Sequence, residues 1–164
     1  MITCYFENNI KAEGGLRHVT VSTLVIKEGK ILLGKRGTIR GEKLSEWGKW
    51  GLLGGYFDRD ETIVEAARRE ILEEGGCEIT NLLLFKINDS PLRPKEDKQN
   101  VDFIFIADFL RQVSHHDEEV TQLKWFSLDA LPKPDEIAFD HGENIMLYKG
   151  YLKTQHPLPI FGRQ

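Results

Sequence analysis

The sequence predicts an α/β domain in which helices cover a mixed β-sheet. Segments rich in Val, Ile, Thr and Phe precede, separate and follow two segments with helical patterning, so strands and helices alternate along the chain. The length of 164 residues suits one domain with a single hydrophobic core. We therefore expect residues 1–164 to form one domain, with a flexible tail at about 155–164.

The composition excludes several classes of protein. Hydrophobic residues make up 40% and charged residues 29%, which is typical of a soluble globular chain. The net charge of -4 gives no electrostatic case for binding nucleic acid. The two cysteines, Cys4 and Cys77, have neither disulfide nor zinc-site spacing. Residues 1–16 lack the apolar core of a signal peptide, and no apolar run reaches membrane-spanning length, so we expect a cytoplasmic protein.

The first third of the chain is predicted to be a hairpin followed by a loop. Residues 18–26 are rich in Val, Thr and Ile and predict a strand. A turn at Glu28-Gly29 and a returning strand at residues 31–33 complete the hairpin. Residues 34–49 are rich in glycine and charge, which predicts a mobile loop. A short apolar strand, interrupted by a glycine pair, follows at residues 50–57.

The clearest predicted helix spans residues 61–74. Asp58 or Asp60 can cap its N-terminus, and Gly75-Gly76 ends it.

The remainder predicts three strands and a closing helix. Strands are expected at residues 79–87 and 101–110, separated by a polar loop, and at residues 123–126. The closing helix is expected at residues 143–153.

Three glutamates share one face of the predicted helix. Glu70, Glu73 and Glu74 have spacings i, i+3 and i+4, which places them within an arc of about 100°. Their mutual repulsion favours a bound cation, and oxygen ligands suit Mg²⁺ or Mn²⁺. For the helix in isolation, a solvated face with Glu65–Arg69 and Arg69–Glu73 pairs is the favoured interpretation. The flanking residues reverse that preference.

The flanking residues form a spaced motif. Its fixed residue types are Gly55, Glu61, Arg69, Glu70, Glu73, Glu74 and Gly76. They resemble the Nudix box, G-x5-E-x7-R-E-U-x-E-E-x-G-U, in which U is a bulky aliphatic residue. At roughly 7% frequency per residue type, chance agreement is on the order of 10⁻⁸ per window. The box spans residues 55–77 and departs from the family pattern at Cys77, which replaces the last aliphatic residue, while Leu53 stands where members often have proline.

The resemblance implies a fold and an activity. The fold would be the Nudix-type α/β/α sandwich. The activity would be metal-dependent hydrolysis, with Mg²⁺ or Mn²⁺, of the pyrophosphate bond in a nucleoside diphosphate linked to another group. ADP-ribose or a nucleotide sugar is the expected substrate.

The resemblance also implies roles for the box residues. Glu70 and Glu74 would be the principal metal ligands, with Glu73 as a further ligand and the Gly55 carbonyl as a contributor. Arg69 would orient the carboxylates through charge-assisted hydrogen bonds. Glu61 would support the helix and the loop before it.

The general base varies within the family between a box glutamate and a glutamate in a later loop. Glu118 and Glu119 lie in such a loop, shortly before Trp125. Either residue could equally be surface charge. Of the two, we prefer Glu119.

Substrate contacts are predicted from residues in loops at strand ends. Arg36, Arg40 and Arg93 could bind phosphate, and Trp47 could stack on a base. The alternative for each is an ordinary surface side chain.

Two segments add a weak indication of subgroup. Residues 93–101 and 138–141 look similar to bacterial proteins called ADP-ribose pyrophosphatase-like, and Pro91 and Pro94 lie near the position where that subgroup has a proline.

Three alternatives stay open. The chain could be a nucleoside triphosphate pyrophosphohydrolase that removes modified nucleotides. It could be a Nudix domain that senses a nucleotide without turnover, although its intact glutamates argue against this. An isoprenoid diphosphate isomerase would need a catalytic cysteine, whereas Cys77 only ends the box. Family members are often homodimers, so we expect a homodimer.

Overall fold

The computed structural model describes residues 17–93 and 100–162. Its strands are β1 (Val19–Lys27), β2 (Lys30–Arg36), β3 (Thr38–Ile39), β4 (Glu42–Lys43), β5 (Trp50–Gly51), β6 (Cys77–Asn88), β7 (Val101–Gln112), β8 (Val120–Ser127) and β9 (Ile160–Phe161). Its helices are α1 (Ile63–Gly75) and α2 (His141–Thr154), with a 3₁₀ turn at Pro134–Glu136. The predicted segment at residues 94–99, including Pro94, and Cys4 lie outside the described residues.

Most of the described strands belong to one mixed sheet. Its order is β5-β2-β1-β7-β6-β9, and β8 also pairs with β2. The β1–β7 and β6–β9 pairs are parallel, while the other pairs in this sheet are antiparallel. The predicted mixed sheet is therefore confirmed.

The two helices cover opposite faces of this sheet. Leu24 and Ile104 point to one face, where Ile145 of α2 packs against them. The neighbouring strand residue Val25 points to the other face, where Ile71 of α1 packs. Because successive side chains of a strand alternate between faces, a single sheet separates two apolar cores. The result is the expected α/β/α sandwich.

Helix α1 begins later than predicted and has a different cap. Thr62 is the N-cap, and its Oγ1 accepts a hydrogen bond from the Glu65 N–H at 3.2 Å, while Glu65 Oε2 accepts from the Thr62 N–H at 2.7 Å. The prediction of Asp58 or Asp60 as the cap was therefore wrong. The Thr-x-x-Glu sequence is a capping box, a stronger signal than an isolated aspartate. Gly76 ends the helix in a left-handed conformation with φ 59°.

Two segments are more ordered than the sequence suggested. Residues 34–49, predicted to be a loop, include the end of β2 and the β3–β4 hairpin. The predicted tail includes β9, in which Ile160 is buried and pairs with Lys86 of β6. The strand predicted at residues 50–57 is reduced to β5 followed by isolated bridges to β1. In the described part of the chain, no helix is both long and apolar enough to cross a membrane.

The capping box predicts a measurable contribution to stability. Thr62→Ala removes the side-chain acceptor and should lower the free energy of unfolding by about 1 kcal/mol. Glu65→Gln is the matched control, because glutamine can complete the same box. Urea unfolding followed by circular dichroism measures both variants. Equal stability of wild type and Thr62→Ala would contradict the role of this cap.

Candidate active site

Two consecutive glycines bring the chain against helix α1. Gly54 has φ +149°, and a Cβ at this position would collide with the Val21 carbonyl oxygen. A Cβ on Gly55 would lie 2.6 Å from both carboxylate oxygens of Glu70. The Gly54 N–H donates a hydrogen bond to Glu74 Oε2 at 2.8 Å. Both glutamates therefore contact the glycine turn.

Arg69 connects the carboxylates of the helix to the glycine turn. Its Nε and Nη2 donate to the two oxygens of Glu61 at 3.0 and 2.8 Å. Its Nη1 donates to Glu70 Oε1 at 2.7 Å and to Glu73 Oε2 at 3.1 Å. Nη2 also donates to the Tyr56 carbonyl oxygen at 2.9 Å. One guanidinium therefore joins the chain beside the glycines to Glu70 through charge-assisted hydrogen bonds.

Glu70 and Glu74 are carboxylates held away from water. Burial raises the pKa of Glu70 to about 7 and the pKa of Glu74 to about 8. Arg69 lowers the pKa of Glu70 and the Gly54 N–H lowers that of Glu74, but neither offsets the loss of hydration. By contrast, the hydrogen bond from Arg69 lowers the pKa of Glu61. Too little positive charge therefore surrounds Glu70 and Glu74, and a bound cation would supply it.

The residue types at this position fit a hard divalent cation. Across residues 17–93 and 100–162, no three acidic, histidine or cysteine side chains already surround a common point. Glu70 and Glu74 nevertheless supply desolvated oxygen donors on adjacent turns of α1. Glu73 is half exposed and contacts Arg69, and the Gly55 carbonyl accepts from the Val21 N–H at 2.9 Å. Ligation by Glu73 and Gly55 stays a prediction.

The two candidate bases lie in different environments. Glu119 is partly buried, and its negative charge raises the pKa values of both Glu70 and Glu74. Burial, followed by repulsion from Asp117, raises the pKa of Glu119. Glu118 is exposed and accepts a hydrogen bond from the Arg40 N–H at 2.9 Å. Of these two, Glu119 is the glutamate whose charge acts on both Glu70 and Glu74.

A polar cleft of about 150 Å³ opens beside the glycine turn. It lies on the α2 side of the sheet, and its lining includes Thr20, Ser22, Arg36, Gly54, Gly55, Tyr56, Arg93, Asn100, Asp102, Phe139 and His141. Gly55 belongs to both the cleft and the Glu70 contact. The cleft and the acidic pair are therefore neighbouring parts of one site.

The predicted phosphate-binding residues are distributed unevenly. Arg36 lines the cleft, its Nε donates to the Ser45 carbonyl oxygen at 2.7 Å, and its charge acts on both Glu74 and Glu119. Arg40 is exposed in the β3–β4 turn and does not line this cleft. Arg36 is the better placed of the two.

Trp47 and Arg93 have surroundings that the sequence did not indicate. Trp47 is 49% exposed and lines a separate groove, with the Lys43 ammonium 3.8 Å from its ring centroid. Arg93 is buried, and its Nη2 and Nε donate to the two Asp140 oxygens at 3.0 and 3.2 Å. Arg93 lines the cleft as half of this ion pair.

The residues on the floor and wall of the cleft were not predicted from the sequence. Asp102 is 1% exposed and accepts hydrogen bonds from Thr20 and Ser22. His141 is buried, and its Nδ1 accepts from the Leu52 N–H at 2.9 Å. The available signal was Asp102 directly before the apolar run at residues 103–107, because a charged residue beside such a run suggests a buried polar site.

Glycine, arginine and glutamate positions of this kind characterise hydrolases of phosphorus-containing acid anhydrides, and comparison with known proteins agrees. The NUDIX domain family model matches residues 16–148. The chain therefore belongs to the NUDIX family and is a pyrophosphohydrolase.

Relatives in this family carry different names. Phosphatase NudJ of Shigella boydii serotype 4 is 27% identical over 146 residues, covering 88% of this chain and 90% of that protein. The oxidized purine nucleoside triphosphate hydrolase of Danio rerio is 34% identical over 110 residues, covering 66% of this chain and 65% of that protein. An ADP-ribose pyrophosphatase from Streptococcus suis matches with TM-score 0.68 and 21% identity, covering 89% of this chain and 99% of that chain. The last likeness shows the fold alone.

The contact between Gly55 and Glu70 predicts that the glycine is needed for cation binding. Gly55→Ala places a methyl group 2.6 Å from the Glu70 oxygens, so the carboxylate must move. We expect Mn²⁺ affinity to fall by about tenfold or more, as for other residues that orient metal ligands. Gly150→Ala is the control, because a Cβ there meets nothing within 4 Å. Titration calorimetry measures both, and unchanged Mn²⁺ affinity in Gly55→Ala would contradict this role.

Proposed function

We propose that this protein hydrolyses, with Mg²⁺ or Mn²⁺, the pyrophosphate bond of a nucleoside diphosphate linked to another group, such as ADP-ribose or a nucleotide sugar. The observation that carries the proposal is the pair of desolvated carboxylates, Glu70 and Glu74, beside a glycine turn that also borders a polar cleft.

The acidic pair and its neighbours divide the chemical work. Glu70 and Glu74 hold the cation, which neutralises negative charge on the reacting phosphates when bound. Arg69 keeps Glu70 in position, and Arg36 contacts a phosphate at the cleft. Glu119 accepts the proton of the attacking water, for which its raised pKa is suited.

The substrate class is supported by two spaces, the cleft and the groove beside Trp47, which both have Arg36 in their lining. The cleft beside Gly55 has room for a nucleobase, while the groove beside Trp47 and Arg36 offers space for the linked group. The fold shared with the S. suis ADP-ribose pyrophosphatase is consistent with this class. The homodimer and the cytoplasmic location stay predictions.

A nucleoside triphosphate pyrophosphohydrolase is the second candidate. The oxidized purine nucleoside triphosphate hydrolase of D. rerio is 34% identical over 110 residues, compared with 27% over 146 residues for phosphatase NudJ of S. boydii. A substrate panel with Mg²⁺ and with Mn²⁺ separates the two. Release of AMP from ADP-ribose, or of a nucleoside monophosphate from nucleotide sugars, supports the first candidate. Release of pyrophosphate from triphosphates, with no turnover of the first group, supports the second.

Loss of one carboxylate charge from the pair should abolish most activity. Glu74→Gln keeps the shape of the side chain but removes the charge, and we expect kcat with Mg²⁺ to fall at least about 10²-fold. Glu78→Gln is the control, since Glu78 is paired with Arg111 on the surface. Steady-state kinetics on the best substrate of the panel measures both variants. Full activity in Glu74→Gln would overturn the assigned role.

The neighbouring glutamates of the β7–β8 loop give a matched test of the base. Glu119→Gln should lower kcat by about 10²–10⁴-fold with little change in KM, because proton transfer is lost while binding is kept. Glu118→Gln should stay within about twofold of wild type, as an exposed side chain outside the acidic pair. A larger kcat loss in Glu118→Gln than in Glu119→Gln would contradict the assignment.

A further inference from the structure

The end of the cleft formed by Thr20, Ser22 and Asp102 offers hydrogen-bond acceptors. Thr20 and Asp102 are paired in register between β1 and β7. The Thr20 hydroxyl donates to Asp102 Oδ1 at 3.0 Å, and the Ser22 hydroxyl donates to Asp102 Oδ2 at 3.0 Å. A hydroxyl has one proton to donate and two lone pairs. Because both protons are directed to Asp102, the two oxygens can only accept from a ligand.

A third acceptor lies at the same end. Asn100 lines the cleft, is 6% exposed, and its Oδ1 has no hydrogen-bond partner among residues 17–93 and 100–162. A buried amide oxygen without a donor is unusual in a folded protein, because leaving it unpaired costs about 1–3 kcal/mol. The arrangement therefore suits a ligand that brings donors.

The charges at this end disfavour a phosphate group. The carboxylates of Asp102 and Asp140 share the guanidinium of Arg93, which is bonded to Asp140 and lies 3.8 Å from Asp102. Burial lowers the pKa of His141 to about 3, so its imidazole is neutral and adds no positive charge. The glycine turn, by contrast, has the Arg36 guanidinium beside it. A bound diphosphate would therefore lie towards Gly55 and away from Asp102.

An aromatic ring lines the same cleft. The Phe139 ring lines the cleft, with the Arg36 guanidinium 5.0 Å from its centroid and the His141 ring 5.4 Å away in an edge-on arrangement. These two contacts hold the ring in place. Aromatic faces bind flat heterocycles by stacking, whereas sugar hydroxyls gain little from them.

We propose that Thr20, Ser22 and Asp102 form the floor of a nucleobase subsite that selects a base with an exocyclic amino group over its keto analogue. This inference rests on the proposed function for the position of the diphosphate. The amino group donates to the oxygens of Thr20 and Ser22, and Phe139 stacks on the ring. A keto oxygen at the same position would face acceptors and have no donor.

Adenine and hypoxanthine compounds provide the test, because they differ at a single amino or keto position. Binding of AMP and of IMP is measured by titration calorimetry, and kcat/KM is measured for ADP-ribose and for its inosine counterpart. We expect wild type to prefer the adenine member of each pair by about tenfold or more, as for a site whose polar groups would otherwise be left unpaired. Equal affinity for AMP and IMP would overturn the proposal.

Variants of the floor identify the residues responsible. Thr20→Val and Ser22→Ala remove the accepting oxygens with little change in shape. Each should raise KM for the adenine substrate by about tenfold and leave kcat and the hypoxanthine KM nearly unchanged, since a ground-state contact is lost. Thr80→Val is the matched control, because Thr80 pairs with Asp108 at the other end of the β6–β7 ladder.

The outcomes separate this inference from the proposed function. Loss of the adenine preference in Thr20→Val and Ser22→Ala, but not in Thr80→Val, supports the subsite. An equal loss for both bases, or a preserved preference, overturns it. Absence of metal-dependent hydrolysis with any diphosphate compound would instead overturn the proposed function, while the AMP and IMP affinities would still decide the subsite.

Discussion

The structure depends on the desolvation of two like charges. Glu70 and Glu74 lie on adjacent turns of α1, and the chain covers them with Gly54 and Gly55, residues whose missing side chains permit that approach. Burial raises the pKa of both carboxyl groups, so the protein holds them ready for a cation at a cost in stability. The purpose of such an arrangement is chemical, because a core built for stability alone would place apolar residues here.

The sheet and Arg69 maintain this arrangement. The pairing of Val21 with Gly55 and of Thr23 with Leu53 aligns the glycine turn along β1, so the turn has the rigidity of a strand. Arg69 then joins the turn to the helix through Glu61 and the Tyr56 carbonyl. Because β1 also pairs with β7, this one strand borders both the glycine turn of the acidic pair and Asp102 on the floor of the cleft. One strand thereby positions both the acidic pair and the cleft.

Local signals in the sequence predicted the long strands, the two helices and the box residues, but not the β3–β4 hairpin or β9. In the structure Arg69 donates to Glu70, and the charge of Glu119 acts on Glu70 and Glu74. Features that depend on strand pairing could not be predicted in this way. Asp102 meets Thr20 only because β1 and β7 are parallel neighbours 80 or so residues apart, and no spacing rule connects them. Arg93 illustrates the converse case: its position in a loop predicted a phosphate contact, whereas an unforeseen partner, Asp140, binds its guanidinium. The cap at Thr62 was available as a Thr-x-x-Glu pattern.

The most direct measurement of the central claim is a crystal structure of the protein soaked in Mn²⁺, with anomalous scattering used to locate the ion. The account predicts an anomalous peak bounded by the carboxylates of Glu70 and Glu74, next to Gly55. An ion bound elsewhere, or two carboxylates that turn apart with no peak between them, would contradict the account.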